Sequence, residues 1–168
     1  MMARAHPEFA LRPFLIEDTP LLAEIFRASI EELTADDYSG GQQEAWVSTA
    51  DDEEAFAKRL ADQLTLIATM NGSPIGFASL ANNETVDLIY VHPAVAGQGA
   101  GTMLVDALAK LAAARGAKRL TADVSDSAQD FFRKRGFTAQ QRNTVLRGGE
   151  WLANTTMDKT LATGKGAA

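Results

Sequence analysis

Residues 86–101 read VDLIYVHPAVAGQGAG and join an apolar run, a proline and a glycine-rich segment. The run from Val86 to Val91 is almost continuously apolar, which predicts a strand covered on both faces. Pro93 ends this strand, and apolar residues at helical spacing after Gly101 predict a long helix. Glycines let backbone N–H groups approach an anion, and a helix N-terminus adds partial positive charge. The loop is therefore interpreted either as a site for a phosphate group or as a plain turn.

Two other families with glycine-rich loops fit this segment poorly. A Walker A loop requires a lysine before its Ser or Thr, whereas Gly101 directly precedes Thr102. A dinucleotide-binding loop follows the first strand of a βαβ unit and has an acidic residue about 20 residues later. Asp123 lies at about that distance, but the strands predicted before the loop form a hairpin meander. Both families are therefore discounted.

The rest of the chain predicts one mixed α/β domain without internal repeats. Asn71-Gly72 between two β-rich runs indicates a hairpin. Asp51, with Glu54 three residues later, predicts the start of a helix, as does Asp18 or Thr19 before Pro20. The strands are expected at 9–12, 64–70, 75–80, 86–91, 120–124, 137–146 and 150–157, and a helix is expected over 127–135. We expect a single domain over 9–160, with flexible termini at 1–8 and 161–168.

Composition narrows the function classes. The 168 residues carry a formal net charge of −6, which argues against a nucleic-acid partner because such binding depends on cationic side chains. There is no cysteine, which excludes disulfides, thiol nucleophiles and thiolate metal sites, and with only His6 and His92 we expect no metal centre. No apolar run reaches the ~18 residues that cross a bilayer, and the start lacks the apolar core of a signal peptide. We expect a cytoplasmic protein without a membrane partner.

Two segments together resemble the GNAT superfamily of N-acetyltransferases. The first is Ile89–Pro93 followed by Ala96–Gly101 and a long helix, and the second is Phe131–Phe137, with its aromatic pair before Gly-Phe. The spacing of both segments matches the family. The resemblance implies an α/β fold with a mixed central sheet of about six to seven strands flanked by helices. A finer resemblance, to uncharacterised bacterial acetyltransferases, includes Tyr38-Ser39 and Leu152–Asn154.

The same resemblance implies acetyl-CoA as the cofactor. The strand at 89–91 would part from its parallel neighbour near 122–124, so that its free backbone groups pair with pantetheine and one N–H polarises the thioester carbonyl. The glycine loop would hold the pyrophosphate. The cofactor-binding residues implied in this way are Ile89, Tyr90, Val91, Gly97, Gln98, Gly99, Ala100, Gly101, Thr102, Ser125 and Phe132.

Two positions depart from the family pattern. Ala96 stands where the family usually has Arg or Gln, which predicts weaker cofactor binding at worst, because the backbone makes most phosphate contacts. Phe132 stands where many members have a Tyr that protonates the leaving thiolate. A thiol pKa near 8.5 makes the thiolate a modest leaving group that water or another donor can protonate. The run Arg133-Lys134-Arg135 either approaches the cofactor's 3′-phosphate or is a solvated helix end.

Acetyl transfer to an amine also requires a base, since an alkylamine of pKa near 10.4 is mostly protonated at pH 7. Asp87 and Asp123 are the leading candidates, with Tyr90 as a substitute acid; solvated strand ends and a core aromatic are the plainer interpretations. The other candidates are His92, Glu84 and Tyr38. Tyr38, Gln42, Trp46 and Asn154 either contact the acceptor or pack as a hydrophobic cluster.

The function that follows is transfer of acetyl from acetyl-CoA to a primary amine of a small molecule or a protein, by direct transfer in a ternary complex. The alternative is a catalytically impaired module that binds acyl-CoA as a sensor or interaction partner. The terminal hairpin would also suit a homodimer.

Overall fold

Seven strands and five α-helices form the fold of the computed structural model, which describes residues 8–162. The strands are β1 (Phe9–Pro13), β2 (Leu64–Met70), β3 (Ser73–Ala81), β4 (Thr85–Val91), β5 (Arg119–Ser125), β6 (Thr138–Arg147) and β7 (Glu150–Thr160). The helices are α1 (Thr19–Leu33), α2 (Gly40–Val47), α3 (Glu53–Ala61), α4 (Ala100–Ala114) and α5 (Gln129–Lys134). The expected mixed sheet flanked by helices is confirmed.

The strands form one sheet in the order β1-β2-β3-β4-β5-β7-β6. The β4–β5 pair is parallel, and the other five pairings among the described strands are antiparallel. The helix α4 provides the crossover that a parallel pair requires. The site discussed below lies where β4 meets β5.

A β-bulge at Asp87 divides β4 into two parts. Leu88 pairs with Ser79 and Val86 pairs with Leu80. Ser79 and Leu80 are adjacent in β3, so Asp87 is an extra residue in β4 without a partner. The extra residue reverses the alternation of side chains along the strand. Val86 accordingly packs in the core beneath α4, whereas Leu88 packs in the core beneath α1 and α3.

Beyond the bulge, β4 separates from β5. The two strands share only the register pairs Thr85↔Thr121 and Val86↔Ala122, while β5 continues to pair with β7 as far as Ser125. The expected parting of these strands is confirmed. The backbone of β4 from the bulge to Val91 therefore lacks a partner strand on the β5 side.

Two hydrophobic cores hold the sheet between its helices. The core on one face includes Phe26 of α1, Leu60 of α3 and Phe77 of β3. The core on the other face includes Leu104 and Leu108 of α4. All five of these side chains are almost fully buried. Both faces of β4 are thus covered, as its apolar sequence predicted.

Two predicted helix caps differ from the structure. The side chain of Asp52, rather than Asp51, accepts the Ala55 N–H at 3.0 Å, and α3 starts at Glu53. Asp18 makes no side-chain cap to α1 and instead pairs with Arg12 at 2.8 Å. Asp51 and Asp52 fit the local capping pattern equally well, so the sequence does not choose between them. The pair of Asp18 with Arg12 of β1 depends on tertiary structure, which the local pattern does not show.

The predicted flexible termini fall mostly on residues 1–7 and 163–168, which lie outside the described residues. Leu161 is described, and it is buried, with its N–H donating to the Lys118 carbonyl at 2.8 Å. No helix within residues 8–162 is long and apolar enough to span a membrane.

The packing of β3 beneath the parted end of β4 provides a stability test. A Cβ on Gly76 would lie 3.0 Å from the Tyr90 carbonyl oxygen and 3.2 Å from Val91 Cγ2. We expect Gly76→Ala to lower the free energy of unfolding by about 1–3 kcal/mol through overpacking. Gly40→Ala is the control, because its Cβ meets nothing within 4 Å. Chemical denaturation measures both variants, and equal stability of the two would contradict the close contact.

Candidate functional site where β4 and β5 part

A cavity of about 640 Å³ occupies the space between the parted strands. It extends from the ends of β4 and β5 to the glycine loop and the first turn of α4. Of the eleven predicted cofactor-binding residues, ten line it; Gln98 is exposed in the loop and does not. The structure therefore brings together residues from 89 to 132 around one cleft.

The peptide groups of β4 divide between its two sides. The His92 N–H donates to the Ile75 carbonyl at 2.8 Å, toward β3. Because peptide groups alternate along a strand, those of Tyr90 also face β3, whereas those of Ile89 and Val91 face the cleft. Ile89 and Val91 thus present backbone donors and acceptors to the cavity, and Tyr90 contributes its side chain.

The glycine loop forms an open cradle at the other end of the cleft. Gly97 and Gly99 have φ values of +80° and +104°, which side-chain-bearing residues rarely adopt. The first intrahelical bond of α4 is Met103 N–H to the Gly99 carbonyl, which leaves the N–H groups of residues 100–102 without helical partners. A Cβ on Gly101 would lie 3.2 Å from the Phe131 ring. This cradle fits a phosphate-bearing ligand.

Arg135 supplies a cation beside this cradle. Its guanidinium donates to Thr102 Oγ1 in the first turn of α4 and lies over the Phe131 ring, 5.2 Å from the ring centroid. Lys134 also lines the cleft, whereas Arg133 pairs with Asp130 at 3.0 Å. The basic run was the sequence signal for this group, but the sequence did not distinguish which of its cations face the cleft.

A second cavity of about 300 Å³ adjoins the first. It lies between the helices over β4 and the hairpin of β6 and β7. Its charged lining consists of Arg59, Asp87, Asp123 and Arg147. The two cavities meet at five residues that line both, namely Trp46, Asp87, Tyr90, Asp123 and Ser125.

Asp87 is held by cationic and amide donors. Arg59 donates to both of its carboxylate oxygens, at 2.8 and 3.0 Å, and Gln63 Nε2 donates at 2.8 Å. Burial alone would raise the pKa of Asp87, but the hydrogen bonds from Arg59 and Gln63, with the positive charges of Arg59 and Arg147, outweigh burial and lower it. Asp87 therefore stays ionised and is a weak proton acceptor.

Asp123 has a different environment. Its Oδ1 accepts the Thr156 hydroxyl at 2.6 Å, and Asn143 Nδ2 in turn donates to Thr156 Oγ1 at 2.8 Å. The residue is exposed at the junction of the two cavities, and within residues 8–162 no cation pairs with it. This carboxylate is oriented by hydrogen bonds and keeps one oxygen open to the cavities.

Tyr90 and Phe132 are the two aromatic side chains of the cleft at positions where a proton donor is expected. The Tyr90 ring packs edge-on against Phe26 at 4.7 Å, and burial raises the pKa of Tyr90 to about 12. Phe132 is buried against Phe131 and Phe137 and carries no hydroxyl. The cleft thus holds a phenol that keeps its proton throughout the neutral range.

The predicted acceptor residues take different positions. Trp46 lines both cavities and Asn154 lines the second, where its Oδ1 accepts from Asn143 at 3.0 Å. Tyr38 borders the second cavity, but its hydroxyl donates to the Ala153 carbonyl at 2.6 Å and accepts the Asp126 N–H at 2.9 Å. Gln42 lines neither cavity, because its side chain caps α2 and donates to the Trp151 carbonyl at 2.7 Å. These bonds tie α2 to the terminal hairpin.

The remaining base candidates lie outside this junction. His92 Nδ1 accepts the Ala94 N–H at 3.1 Å and so stabilises the turn after β4. Glu84 pairs with Arg119 at 3.0 Å before β4 begins. The described residues contain no group of three His, Asp or Glu side chains that could hold a metal ion.

The chain is similar to known acetyltransferases. The family model for the acetyltransferase (GNAT) domain matches residues 34–161. A crystal structure of a GCN5-related N-acetyltransferase from Rhodopseudomonas palustris is 61% identical, with a TM-score of 0.90, and the match covers 96% of this chain and 99% of that one. The uncharacterized N-acetyltransferase YafP of Escherichia coli is 28% identical over 144 residues, which are 86% of this chain and 91% of YafP.

The fold is also shared with a more distant protein. The PaiA N-acetyltransferase of Thermoplasma acidophilum, solved in complex with coenzyme A, is 22% identical and has a TM-score of 0.75. The match covers 91% of this chain and 99% of that chain.

The Arg59–Asp87 pair predicts a pH-dependent stability. Because folding lowers the pKa of Asp87, its contribution is present above the unfolded value of about 3.9 and is lost as pH falls through the lower folded value. We expect Asp87→Asn to lower the free energy of unfolding by about 1 kcal/mol at pH 7, since the pair is partly exposed. The difference from the native protein should shrink below about pH 4.

Urea unfolding at several pH values measures this difference. Asp130→Asn is the matched control, because its pair with Arg133 is exposed and should contribute little. A constant difference between native protein and Asp87→Asn down to the acid limit of the fold would refute the ionised pair as its cause.

Proposed function

Since the chain belongs to the GNAT acetyltransferase family, we propose that it transfers the acetyl group of acetyl-CoA directly to a primary amine. The observation that carries this proposal is the meeting of two cavities where β4 and β5 part. One cavity offers a phosphate cradle and a free strand edge, and the other offers polar and aromatic walls. Acetyl-CoA would bind in the first cavity and the amine in the second, and the two cavities meet at the residues that line both.

The first cavity fits acetyl-CoA, which supplies an acetyl group activated as a thioester. The loop at Gly97 and Gly99 and the free N–H groups of residues 100–102 would hold the pyrophosphate. Ile89 and Val91 would pair with the pantetheine arm through peptide groups that lack a partner strand on that side. Arg135 would pair with a phosphate and so supply the charge that Ala96 does not. The coenzyme A bound to PaiA, which shares this fold, supports the assignment.

Polarisation of the acetyl carbonyl is assigned to the strand edge. An N–H of Ile89 or Val91 that faces the cleft donates to that oxygen, where negative charge develops during transfer. Such a donor is fixed by the pairing of β4 with β3, so that it needs no reorganisation. The splayed strand then serves both binding and catalysis.

Removal of the amine proton is assigned to Asp123. Deprotonating an alkylamine at pH 7 costs roughly 4–5 kcal/mol, and a positioned base lowers this barrier. Asp123 lies at the junction of the cavities with one oxygen uncommitted, whereas Asp87 is neutralised by Arg59. Asp123 therefore acts as the proton acceptor, directly or through water, and Asp87 positions Arg59.

The bond changes balance as follows. The amine nitrogen forms an amide bond to the acetyl carbon while the carbon–sulfur bond breaks with its electron pair on sulfur. An ammonium loses two protons in total: one goes through Asp123 to solvent, and the other matches the proton that converts the thiolate to CoA thiol. Tyr90, with its pKa of about 12, hydrogen-bonds rather than donating a proton to a thiolate of pKa near 8.5. Water supplies that proton.

A second candidate function is an acyl-CoA-binding module without turnover. The observation that favours it is Phe132, which is buried and places no hydroxyl in the cleft. Release of CoA thiol in the presence of amines distinguishes the two functions. The cytoplasmic location, the absence of nucleic-acid and membrane partners and the homodimer stay predictions from the sequence.

Coenzyme A binding tests the first cavity. Acetyl-CoA at about 100 times its Kd should stabilise the protein by about 2.7 kcal/mol in thermal melting. We expect Arg135→Gln to weaken CoA binding about tenfold in calorimetry, as one charge-assisted hydrogen bond is lost. Arg133→Gln, in the last turn of α5, is the control, since Arg133 does not line the cleft. Absence of a melting shift in the native protein would remove the proposed function.

The base assignment has a kinetic test. We expect Asp123→Asn to lower kcat by about 10²–10⁴ while the Kd for acetyl-CoA stays unchanged, because the carboxylate acts on the acceptor. Asp106→Asn, at an exposed position of α4, should match the native enzyme. An active Asp123→Asn enzyme would overturn the base, and CoA binding without any thiol release by the native protein would favour the module.

A further inference from the structure

The lining of the second cavity carries opposite charges. Asp123 lines both cavities and so marks the end where the acetyl group arrives. Arg147, the last residue of β6, lines only the second cavity. A molecule in the second cavity therefore meets both the carboxylate of Asp123 and the guanidinium of Arg147.

Within residues 8–162, Arg147 has no ion-pair partner. Arg59 and Arg142 pair with Asp87 and Asp126, whereas Arg147 forms no ion pair with any carboxylate of residues 8–162. Its side chain donates to the Leu146 carbonyl at 3.0 Å. The side chain of Arg147 lines the second cavity, and its charge contributes to lowering the pKa of Asp87. Most of its five N–H donors are available for a ligand.

The walls of the second cavity are mixed, and most of their exposed surface is polar. Leu88 and Phe26 contribute from the sheet and α1, and Val145 and Leu152 contribute from the terminal hairpin. A volume of about 300 Å³ lies at the lower end of the range for small-molecule sites. The cavity thus suits a compact polar molecule that carries both an amine and an anionic group.

We propose that the acceptor is a small amino acid-like molecule, whose carboxylate pairs with Arg147 while its amine lies beside Asp123. This inference rests on the proposed acetyl transfer and specifies its substrate class. A guanidinium binds a carboxylate through two parallel hydrogen bonds, which fixes the orientation of the molecule and aims its amine at the junction. A polyamine would instead bring a second ammonium against Arg147 and Arg59.

Paired acceptors test the substrate class. The native enzyme is assayed for CoA thiol release with glycine, β-alanine, L-leucine and L-phenylalanine, each beside its amide, and with putrescine. Amides of amino acids have less basic amines and thus more free base at neutral pH, which biases the comparison against the proposal. We expect at least one carboxylate to exceed its amide by about tenfold or more in kcat/KM. Equal or faster reaction of every amide, or a preference for putrescine, would overturn the inference while acetyl transfer stands.

Variants of Arg147 locate the carboxylate. We expect Arg147→Gln to raise KM for the preferred carboxylate about tenfold to a hundredfold, with unchanged KM for its amide and for acetyl-CoA. Arg147→Lys keeps the charge but not the paired donors, so its KM for the carboxylate should lie between those of the native enzyme and Arg147→Gln. Arg115→Gln, an exposed arginine beyond α4 that lines neither cavity, is the charge control. An Arg147→Gln enzyme with native KM values would overturn the assignment.

Direct binding separates this inference from the proposed function. Calorimetric titration of the same amino acids into the CoA-loaded protein measures recognition without turnover. Binding that is lost in Arg147→Gln, with no thiol release, would support the carboxylate site and reject acetyl transfer. No binding of any carboxylate to native protein would reject the site.

Discussion

The parting of β4 from β5 is the constraint on which the site depends. Buried peptide groups need hydrogen-bond partners, and the strand edge beyond Asp87 has β3 on one side only. The bulge at Asp87 makes this possible, because one extra residue turns the strand and reverses its faces. Val86 then packs under α4 and Leu88 under α1 and α3, so both cores fix the direction in which β4 leaves its neighbour. A ligand that supplies the missing edge partner fits such a cleft.

Two carboxylates at this junction have different chemistry because their neighbours differ. Asp87 receives a bidentate ion pair and an amide donor, which keep it ionised and fixed. Asp123 receives one hydroxyl from Thr156 and faces open space. Enzymes commonly give two carboxylates different roles by placing them in different environments. The proposed base and the proposed positioning residue follow from this difference.

The candidate site draws on parts that are far apart in the chain. The phosphate cradle precedes α4, the cation beside it comes from Arg135 after α5, and the outer charge comes from Arg147 at the hairpin. Tyr38 and Gln42 connect α2 to that hairpin through bonds to the Ala153 and Trp151 carbonyls. These two bonds hold the hairpin over the second cavity, which Tyr38 also borders.

The sequence by itself determined the strand, loop and helix at 86–114, the hairpins and the missing phenol at Phe132. These features follow from local patterns, because apolar runs, glycines and a proline indicate strands, turns and helix starts within a few residues of sequence. It located the cap of α3 to within one residue, since Asp51 and Asp52 satisfy the same local pattern. Only the tertiary structure decided the bulge at Asp87 and the pairing of Asp87 with Arg59. The bulge arises from the pairing of β4 with β3, and the ion pair arises from the packing of α3 over β4. Both depend on how separate elements pack against one another, so that no local sequence pattern indicates them.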